Sequence, residues 1–293
     1  MMPHTARPTL SSLLKAHGVR PNKRLGQHFL LDGNLCHRIV RAAGITPAHR
    51  IVEIGPGPGA LTRALLETAG RVTAIEMDAG LLPVLDAWTA EVGTLTIIRA
   101  DALKVDFQAL ADERGGPLTL VANLPYNIST PLMFHFLHQR RAFDSMTLMF
   151  QKEVAERLVA EPEHGKAYGA VSVLCRLWME SERILDVAPS LFYPPPKVES
   201  TVARFIMRKN PLHDVGDEEF FSRLVHAAFN PRRKTLSNTL KPLSEARLDW
   251  LDKAGIDSKR RGETLSLAEF ARLSCIAQQN GSRSPGCTGK SFT

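Results

Sequence analysis

Short apolar runs alternate with amphipathic stretches over the first half of the chain. The apolar runs are rich in Val, Ile and Leu and do not alternate with polar residues, which is typical of strands covered by helices on both faces. Strands are predicted at residues 51–54, 72–75, 95–98, 118–122 and 146–150. Helices are predicted at residues 60–67, 80–90, 130–138 and 152–159. This order predicts an α/β fold with a doubly wound, Rossmann-like sheet.

The pattern changes on either side of this region. Before it, residues 9–17 have the pattern of a short amphipathic helix, and Asp32 is placed to cap a second helix that runs to about residue 43. After it, apolar runs at 170–179 and 201–207 predict an antiparallel hairpin at one sheet edge. Beyond residue 211 only helical patterns follow, at 218–229, 249–254 and 267–277.

These changes predict four regions along the chain. A basic N-terminal arm occupies residues 1–20 and a ligand-binding domain residues 21–211. A small C-terminal helical domain occupies residues 212–278. Residues 279–293 lack apolar mass, and we expect them to form a disordered tail.

Composition narrows the classes of partner. The chain has 293 residues, 37 Lys and Arg against 30 Asp and Glu, and therefore a formal net charge of +7. This balance permits a polyanionic partner such as RNA or DNA. No apolar run is long enough to span a bilayer, so no membrane partner is expected. The four cysteines form no C-x-x-C pair, so we expect no structural metal and a reduced, cytoplasmic protein.

The N-terminal region has no acidic residue before Asp32. It contains five basic residues: Arg7, Lys15, Arg20, Lys23 and Arg24. Such a start fits an arm that faces nucleic acid, which we favour, and it also fits an organellar transit peptide. The sequence leaves both interpretations open.

The central feature is the stretch from Ile51 to Gly59, in which Gly55, Gly57 and Gly59 follow a short apolar run. Glycines between a strand and a helix allow a tight turn over which a ligand lies against the helix N-terminus. The spacing is G-x-G-x-G rather than the G-x-G-x-x-G of dinucleotide enzymes, and no Lys-Ser/Thr pair of a P-loop follows. A ligand with ribose and adenine but no pyrophosphate is therefore favoured.

Two acids follow at the ends of the next two predicted strands. Glu76 is placed to accept hydrogen bonds from ribose hydroxyls, about twenty residues beyond the glycines. Asp101 is placed to accept from the exocyclic amine of an adenine, with Met77 and Ala102 against the faces of the ring. Each acid alone is a common strand-end residue. Because three successive strand ends meet at one sheet edge, the combination predicts a binding site.

The fourth strand ends in Asn123, Leu124, Pro125 and Tyr126. The amine of a purine is a poor nucleophile, because its lone pair is delocalised into the ring. The Asn123 side-chain carbonyl and the Leu124 backbone carbonyl are suited to accept its two hydrogens. Pro125 stiffens the turn, and Tyr126 is suited to stack on a base that has left its duplex. The alternative is a simple strand-to-turn junction.

Together these motifs resemble those of class I S-adenosylmethionine-dependent methyltransferases that act on adenine amines. Further stretches at 23–30, 127–131, 192–200 and 229–236 are similar to the ribosomal RNA small-subunit adenine dimethyltransferase family. The resemblance covers roughly residues 20–275. His28 stands where many family members have Asn.

The resemblance implies a role for each matching residue. His28 and Leu30 would close over S-adenosylmethionine, and Gly55, Glu76, Asp101 and Asn123 would bind it. Phe192 would be a second aromatic wall for the flipped base; a core position beside the proline-rich turn is the alternative. The substrate implied is two adjacent adenines, each dimethylated, in the last hairpin of small-subunit rRNA, within an immature small subunit.

The basic residues have two interpretations. Lys23, Arg24, Arg232, Arg233 and Lys234 are suited to contact phosphates without reading sequence. The run at 232–234 also follows a predicted helix end, where positive charge favours the helix dipole. The helical domain would help to dock structured RNA, and we expect the protein to act as a monomer.

Our mechanistic hypothesis is an in-line attack of the adenine amine on the sulfonium methyl, with the proton passing to water. Three other functions remain open at this point. They are dimethylation of large-subunit rRNA that confers antibiotic resistance, a non-catalytic assembly or transcription factor, and an NAD-dependent oxidoreductase, which the glycine spacing disfavours.

Overall fold

The computed structural model describes residues 8–22 and 25–281. The chain forms two compact units. One comprises the described residues up to Glu156 together with Met179–Met207, and the other comprises Arg157–Trp178 with the described residues from Arg208 onward. Among the described residues, no helix is both long enough and apolar enough to cross a membrane.

The first unit is built on a seven-stranded sheet and a separate two-stranded ribbon. The strands are β1 (Phe29–Leu30), β2 (Ile51–Ile54), β3 (Arg71–Ile75), β4 (Thr94–Ile98), β5 (Leu118–Asn123), β6 (Phe143–Gln151), β7 (Met179–Val187), β8 (Phe192–Tyr193) and β9 (Ser200–Met207). The helices that begin in this unit are α1 (Leu10–Ala16), α2 (Gly33–Ala42), α3 (Ala60–Ala69), α4 (Leu82–Thr89), α5 (Phe107–Glu113), α6 (Ser129–His138) and α7 (Lys152–Leu158).

The strand order of the large sheet is β4-β3-β2-β5-β6-β9-β7. The first five strands are parallel to their neighbours, whereas β9 runs antiparallel to both β6 and β7. The chain order reverses between β2 and β5, so the loops after these strands diverge at that point. Ligands of open α/β sheets bind at such a switch point, beyond the carboxyl ends of the strands. The predicted α/β class with a Rossmann-like, doubly wound sheet is confirmed.

Local sequence explains the helix starts around this point. Asp32 caps α2, as predicted, by accepting a hydrogen bond from the Leu35 backbone N–H at 2.7 Å. Gly59 caps α3 with a φ of 97°, in the left-handed region that favours glycine. A Cβ at this position would lie 2.7 Å from Leu85 Cδ1. Because Leu85 is fully buried, that neighbour has little room to move.

Several predicted elements were misplaced. The run at 170–179 is a helix rather than a strand, and the edge strand is the more polar β7 instead. The sheet edge is antiparallel as predicted, but β9 pairs with β6 and β7. Helix α5 was missed because its seven residues carry only a short periodic pattern.

The second unit is helical. Its helices are α8 (Ala170–Trp178), α9 (Glu218–Phe229), α10 (Leu236–Thr239), α11 (Arg247–Lys253) and α12 (Leu267–Gly281). Helix α8 packs against α9 and α12, and almost all of its residues are buried. A short, mostly apolar run is also typical of a buried strand, and the Val residues at 171 and 173 favour that interpretation, which explains the wrong prediction at 170–179.

This unit also differs from the predicted domain limits. Residues 157–178 belong to it, although the prediction assigned them to the domain at 21–211. Tyr168 ties this segment to the later helices, because its hydroxyl donates to the Leu265 carbonyl at 3.0 Å. Residues 279–281 of the predicted tail are the end of α12, while residues 282–293 lie outside the described part.

The start of α3 provides a test of these packing constraints. Gly59→Ala is expected to lower the free energy of unfolding by about 2–4 kcal/mol, since left-handed strain and overpacking add there. Gly70, with a φ of 77° and no atom within 4 Å of an added Cβ, is the matched control. Gly70→Ala should cost only about 1 kcal/mol, because it carries the strain alone. Urea denaturation measures both, and equal losses would contradict the packing argument.

Candidate active site

A cavity of about 270 Å³ lies beyond the carboxyl ends of the parallel strands in the first unit. Its wall is formed by five segments that are far apart in sequence. They are residues 25–30; residues 53, 55–58, 60 and 61; residues 76, 77 and 81; residues 101 and 103; and residues 123–128. The topology therefore brings together the ends of four successive parallel strands and the segment that precedes α2.

The glycine loop after β2 forms the floor of the cavity. Gly55 and Gly57 have φ values of 62° and 57°, which non-glycine residues seldom adopt. A Cβ on Gly57 would lie 3.5 Å from the ring of Phe29, and one on Gly55 would lie 3.7 Å from Pro125. Gly59 does not line the cavity; its role is to start α3. Of the three glycines predicted to bind the cofactor, Gly55 and Gly57 line the cavity and Gly59 does not.

Glu76 lies at the end of β3, is 5% exposed and lines the cavity. The Asp78 backbone N–H donates to its Oε1 at 2.8 Å, which fixes the carboxylate. Burial raises the pKa of Glu76 above its usual value, while hydrogen bonds from backbone N–H groups act in the opposite direction. Met77 follows it on the wall and is well exposed.

Asp101 lies at the end of β4 and also lines the cavity. Its Oδ1 accepts from the Leu103 backbone N–H at 3.0 Å, which orients the carboxylate at the start of a short 3-10 turn. Leu103 lines the cavity, whereas Ala102 is buried behind it. The apolar contact predicted for Ala102 is therefore offered by its neighbour.

Asn123 ends β5 at the centre of the wall. Its Nδ2 donates to the His28 backbone carbonyl at 3.2 Å. Its Oδ1 is buried and has no hydrogen-bond partner among the residues that the structure describes. An unpaired buried acceptor costs about 1–3 kcal/mol, so this atom is poised to accept a hydrogen bond from a ligand.

The next three residues extend the same wall. The Leu124 backbone N–H donates to the Met149 carbonyl at 3.3 Å, and Pro125 packs near the glycine loop. The Tyr126 hydroxyl lies 2.6 Å from the hydroxyl oxygen of Ser200. Burial raises the pKa of Tyr126, so its phenol stays neutral and able to share that hydrogen bond.

His28 lies at the rim of the cavity and connects Tyr126 with Pro194, which follows β8. Its ring stacks on Tyr126 with centroids 5.3 Å apart and an interplanar angle of 26°. Its Nδ1 lies 2.7 Å from the Pro194 carbonyl and must donate there, because a carbonyl only accepts. Leu30 lies two residues on, lines the cavity and pairs with Phe192 between β1 and β8.

Phe192 is not where a base wall would be. It is 4% exposed, belongs to the apolar core and does not line the cavity. Successive residues of a strand face opposite sides, so in β8 Phe192 faces the core while Tyr193 faces outward. The core interpretation, left as the alternative on the sequence, describes this residue better.

The predicted RNA contacts fall into three groups. Lys23 and Arg24 lie outside the described residues. Arg232 is held within the helical unit: its Nε donates to Glu263 at 2.8 Å, and its guanidinium also binds the carbonyls of Gly165 and Tyr168. Arg233 and Lys234 are exposed. Of the three residues at 232–234, two are therefore available to a phosphate and one has a structural partner.

Glu53 is a residue that the sequence analysis missed. It lies in β2, is 1% exposed and lines the cavity floor. Its Oε2 has no hydrogen-bond partner in the described part of the chain. Desolvation raises its pKa to about 8, against the lowering effect of the nearby Thr62 hydroxyl. The signal available was a charged residue inside an otherwise apolar buried run, which is costly unless it has a function.

The chain is similar to known proteins over most of its length. A family described as "Ribosomal RNA adenine dimethylase" matches residues 18–279. A ribosomal RNA small subunit methyltransferase A of Magnetococcus marinus is 55% identical over 89% of this chain and 93% of its own length. One of Pelotomaculum thermopropionicum is 47% identical over 89% and 92%.

Solved structures agree with this assignment. A dimethyladenosine transferase from Plasmodium falciparum superposes with a TM-score of 0.72 and 25% identity, over 87% of this chain and 98% of that one. The 23S rRNA methyltransferase ErmE gives 0.66 and 25%, over 86% and 100%. The family match spans most of the chain, and the relatives align over nearly their full length. This protein belongs to the ribosomal RNA adenine dimethylase family.

Proposed function

We propose that this protein uses S-adenosylmethionine to dimethylate the exocyclic amines of two adjacent adenines in the 3′-terminal hairpin of small-subunit rRNA. Membership of the family supports the reaction class, and the identity of 55% to a small-subunit methyltransferase supports the choice of subunit. The observation that carries the proposal is the buried, unpartnered Oδ1 of Asn123 in the cavity wall, three residues before Tyr126.

The residues of the cavity fit the proposed cofactor. The side-chain-free surface of Gly55 and Gly57 leaves room for a ligand against the loop. Glu76 offers a buried carboxylate for ribose hydroxyls, and Asp101 offers one for the adenine amine. His28 and Leu30 would close the remaining side. When bound, S-adenosylmethionine supplies an electrophilic methyl group on its sulfonium.

Glu53 fits the charged end of the same ligand. A buried carboxylate with an unpartnered oxygen calls for a cationic donor, and the cofactor carries an α-ammonium group. Binding of that group would hold Glu53 ionised. We assign it the role of accepting the ammonium at the cavity floor.

Catalysis would rest on the residues at the end of β5. Asn123 Oδ1 and the Leu124 carbonyl accept the two hydrogens of the target amine and thereby orient its lone pair. Pro125 stiffens the turn, and Tyr126 stacks on the flipped base. Because His28 covers one face of Tyr126, a base has the other face to stack on. The amine loses its proton to water during or after the methyl transfer.

The partner would be small-subunit rRNA within an immature small ribosomal subunit, engaged by a monomer in the cytoplasm. Arg233 and Lys234 would contact phosphates, and Lys23 and Arg24 remain proposed contacts on the N-terminal side. The net charge of +7 favours association with RNA at low salt.

The first experiment supplies purified protein and radiolabelled S-adenosylmethionine to small and large ribosomal subunits that lack adenine dimethylation. We expect label as dimethyladenine near the 3′ end of the small-subunit rRNA. Label in large-subunit rRNA alone would indicate instead the activity named for the ErmE structure, 23S rRNA methylation. Cofactor binding without label in either subunit would favour an assembly factor.

Asn123→Ala should lower kcat/KM for methylation by about 100-fold or more, because the amine loses an oriented acceptor in a desolvated site. The thermal midpoint should change little, since the change removes one hydrogen bond to the His28 carbonyl. Asn238→Ala, the same change at an exposed site in the helical unit, is the matched control and should leave turnover unchanged. Normal turnover in Asn123→Ala would refute the role assigned to this residue.

Glu53→Gln should separate stability from binding. Because the folded pKa of about 8 exceeds the ordinary value of 4.5, Glu53 holds its proton more tightly in the folded protein. Its contribution to stability is complete below the unfolded pKa and is lost as the pH rises through about 8. Between pH 6 and pH 9, wild type should lose about 2–3 kcal/mol of its free energy of unfolding relative to Glu53→Gln. Urea denaturation of the two ligand-free proteins measures this difference.

The same variant should bind S-adenosylmethionine about tenfold more weakly at pH 7.5, because an amide does not pair with the ammonium. Isothermal titration calorimetry measures this affinity. An unchanged affinity for S-adenosylmethionine would show that Glu53 does not bind the ligand. If the stability of both proteins changed with pH in the same way, the carboxyl of Glu53 would not be the buried group that titrates.

A further inference from the structure

The β1–β8 ribbon carries an exposed aromatic ring that the proposed reaction does not use. Tyr193 is 53% exposed. It is the only Phe, Tyr or Trp in the exposed class among the residues that the structure describes. Exposing an aromatic ring forgoes its burial free energy, and such rings are enriched where a flat partner binds.

The backbone of Tyr193 is positioned by its pairing with Phe29 in the β1–β8 ribbon. Phe29 lines the cavity and its ring lies against Gly57 in the glycine loop. Residues directly opposite each other in an antiparallel pair lie on the same face with Cβ atoms about 4.5–5.5 Å apart. The Tyr193 backbone therefore lies beside a residue of the cavity wall, while its own ring is exposed and does not line the cavity.

The segment that begins at Tyr193, residues 193–200, is anchored at both ends to the residues that would hold the target base. The Pro194 carbonyl accepts from His28 Nδ1 at 2.7 Å, and the Ser200 hydroxyl lies 2.6 Å from the Tyr126 hydroxyl. His28 and Tyr126 stack on each other. The exposed ring is thus attached to the same assembly as the base-binding tyrosine.

Tyr126 cannot serve two bases, because His28 already covers one of its faces. When one base enters the cavity, the nucleotide next to it loses a stacking neighbour and stays at the rim. A base in that position needs a flat surface, and aromatic side chains provide one for any base. Lys197 is exposed in the same segment, which places a positive charge near the accompanying phosphates.

We infer that Tyr193 is a stacking platform for the nucleotide adjacent to the adenine in the cavity. This inference rests on the proposed function and adds a second base-binding site to it. Tyr193 does not touch the reacting amine. It holds the neighbouring nucleotide so that the target base stays out of its helix and in register with Asn123.

The test compares Tyr193→Ala, Tyr193→Phe and the full-length wild type. The RNA is the small-subunit 3′-terminal hairpin, with 2-aminopurine replacing the second of the two adjacent adenines. Tyr193→Ala should raise the RNA Kd about 5- to 100-fold, as loss of base–aromatic stacking does. It should also abolish the quenching of 2-aminopurine that wild type produces, while Tyr193→Phe retains both. S-adenosylmethionine affinity and the thermal midpoint should not change.

Ile206→Ala is the matched control, since Ile206 is an exposed apolar residue at the far end of β9. It should leave RNA binding within twofold of wild type. If Tyr193→Ala binds the RNA and quenches 2-aminopurine as well as wild type does, the inference is overturned. The proposed function still stands in that case, provided that the wild-type protein methylates its RNA. Equal weakening in Tyr193→Ala and Tyr193→Phe would also overturn it, because the hydroxyl rather than the ring would then be responsible. Absence of methylation by wild type would refute both.

Discussion

The parallel pairing of β2 with strands on both sides is the constraint on which the site depends. Since β3 and β5 flank β2 in parallel register, the glycine loop, Glu76 and Asn123 all leave the sheet at one edge. A hydrogen bond from the Gly57 backbone to the Glu76 carboxylate joins two of these strand ends directly. A shift of one residue in either pairing would turn each functional side chain to the opposite face of the sheet. The apolar burial of the central strands therefore sets the geometry of the polar site.

Polar groups within that edge are left partly unsatisfied, and this is the expected mark of a binding site. Asn123 Oδ1 and Glu53 Oε2 are buried without partners in the described part of the chain. Each lowers the stability of the ligand-free protein and becomes favourable when a donor arrives. Stability and binding thus oppose each other at the same few atoms.

Much of this arrangement was predictable from local sequence, and the failures have physical causes. The glycine loop, Glu76, Asp101 and Asn123 were predicted correctly as neighbours at the wall because strand ends and turns follow local patterns. Helix α8 was misread because a short run rich in Val and Leu is also typical of a buried strand. The inward face of Phe192 and the outward face of Tyr193 depend on the register with β1, which lies far away in sequence. Glu53 was missed although its position inside an apolar run was visible in the sequence, because the way its side chain faces the cavity depends on the folded sheet.

The ribbon formed by β1 and β8 has a consequence for synthesis of the chain. The hydrogen bond between His28 and Pro194 spans 166 residues. At about 5–20 residues per second, a ribosome needs roughly 10–30 s to make that stretch. The sheet edge with its glycine loop, Glu76, Asp101 and Asn123 is therefore translated well before the rim that covers it. Asn123 precedes Pro194 by 71 residues, so a nascent chain would carry the sheet edge without its rim for roughly 4–14 s, and the site is completed only once Pro194 has been made.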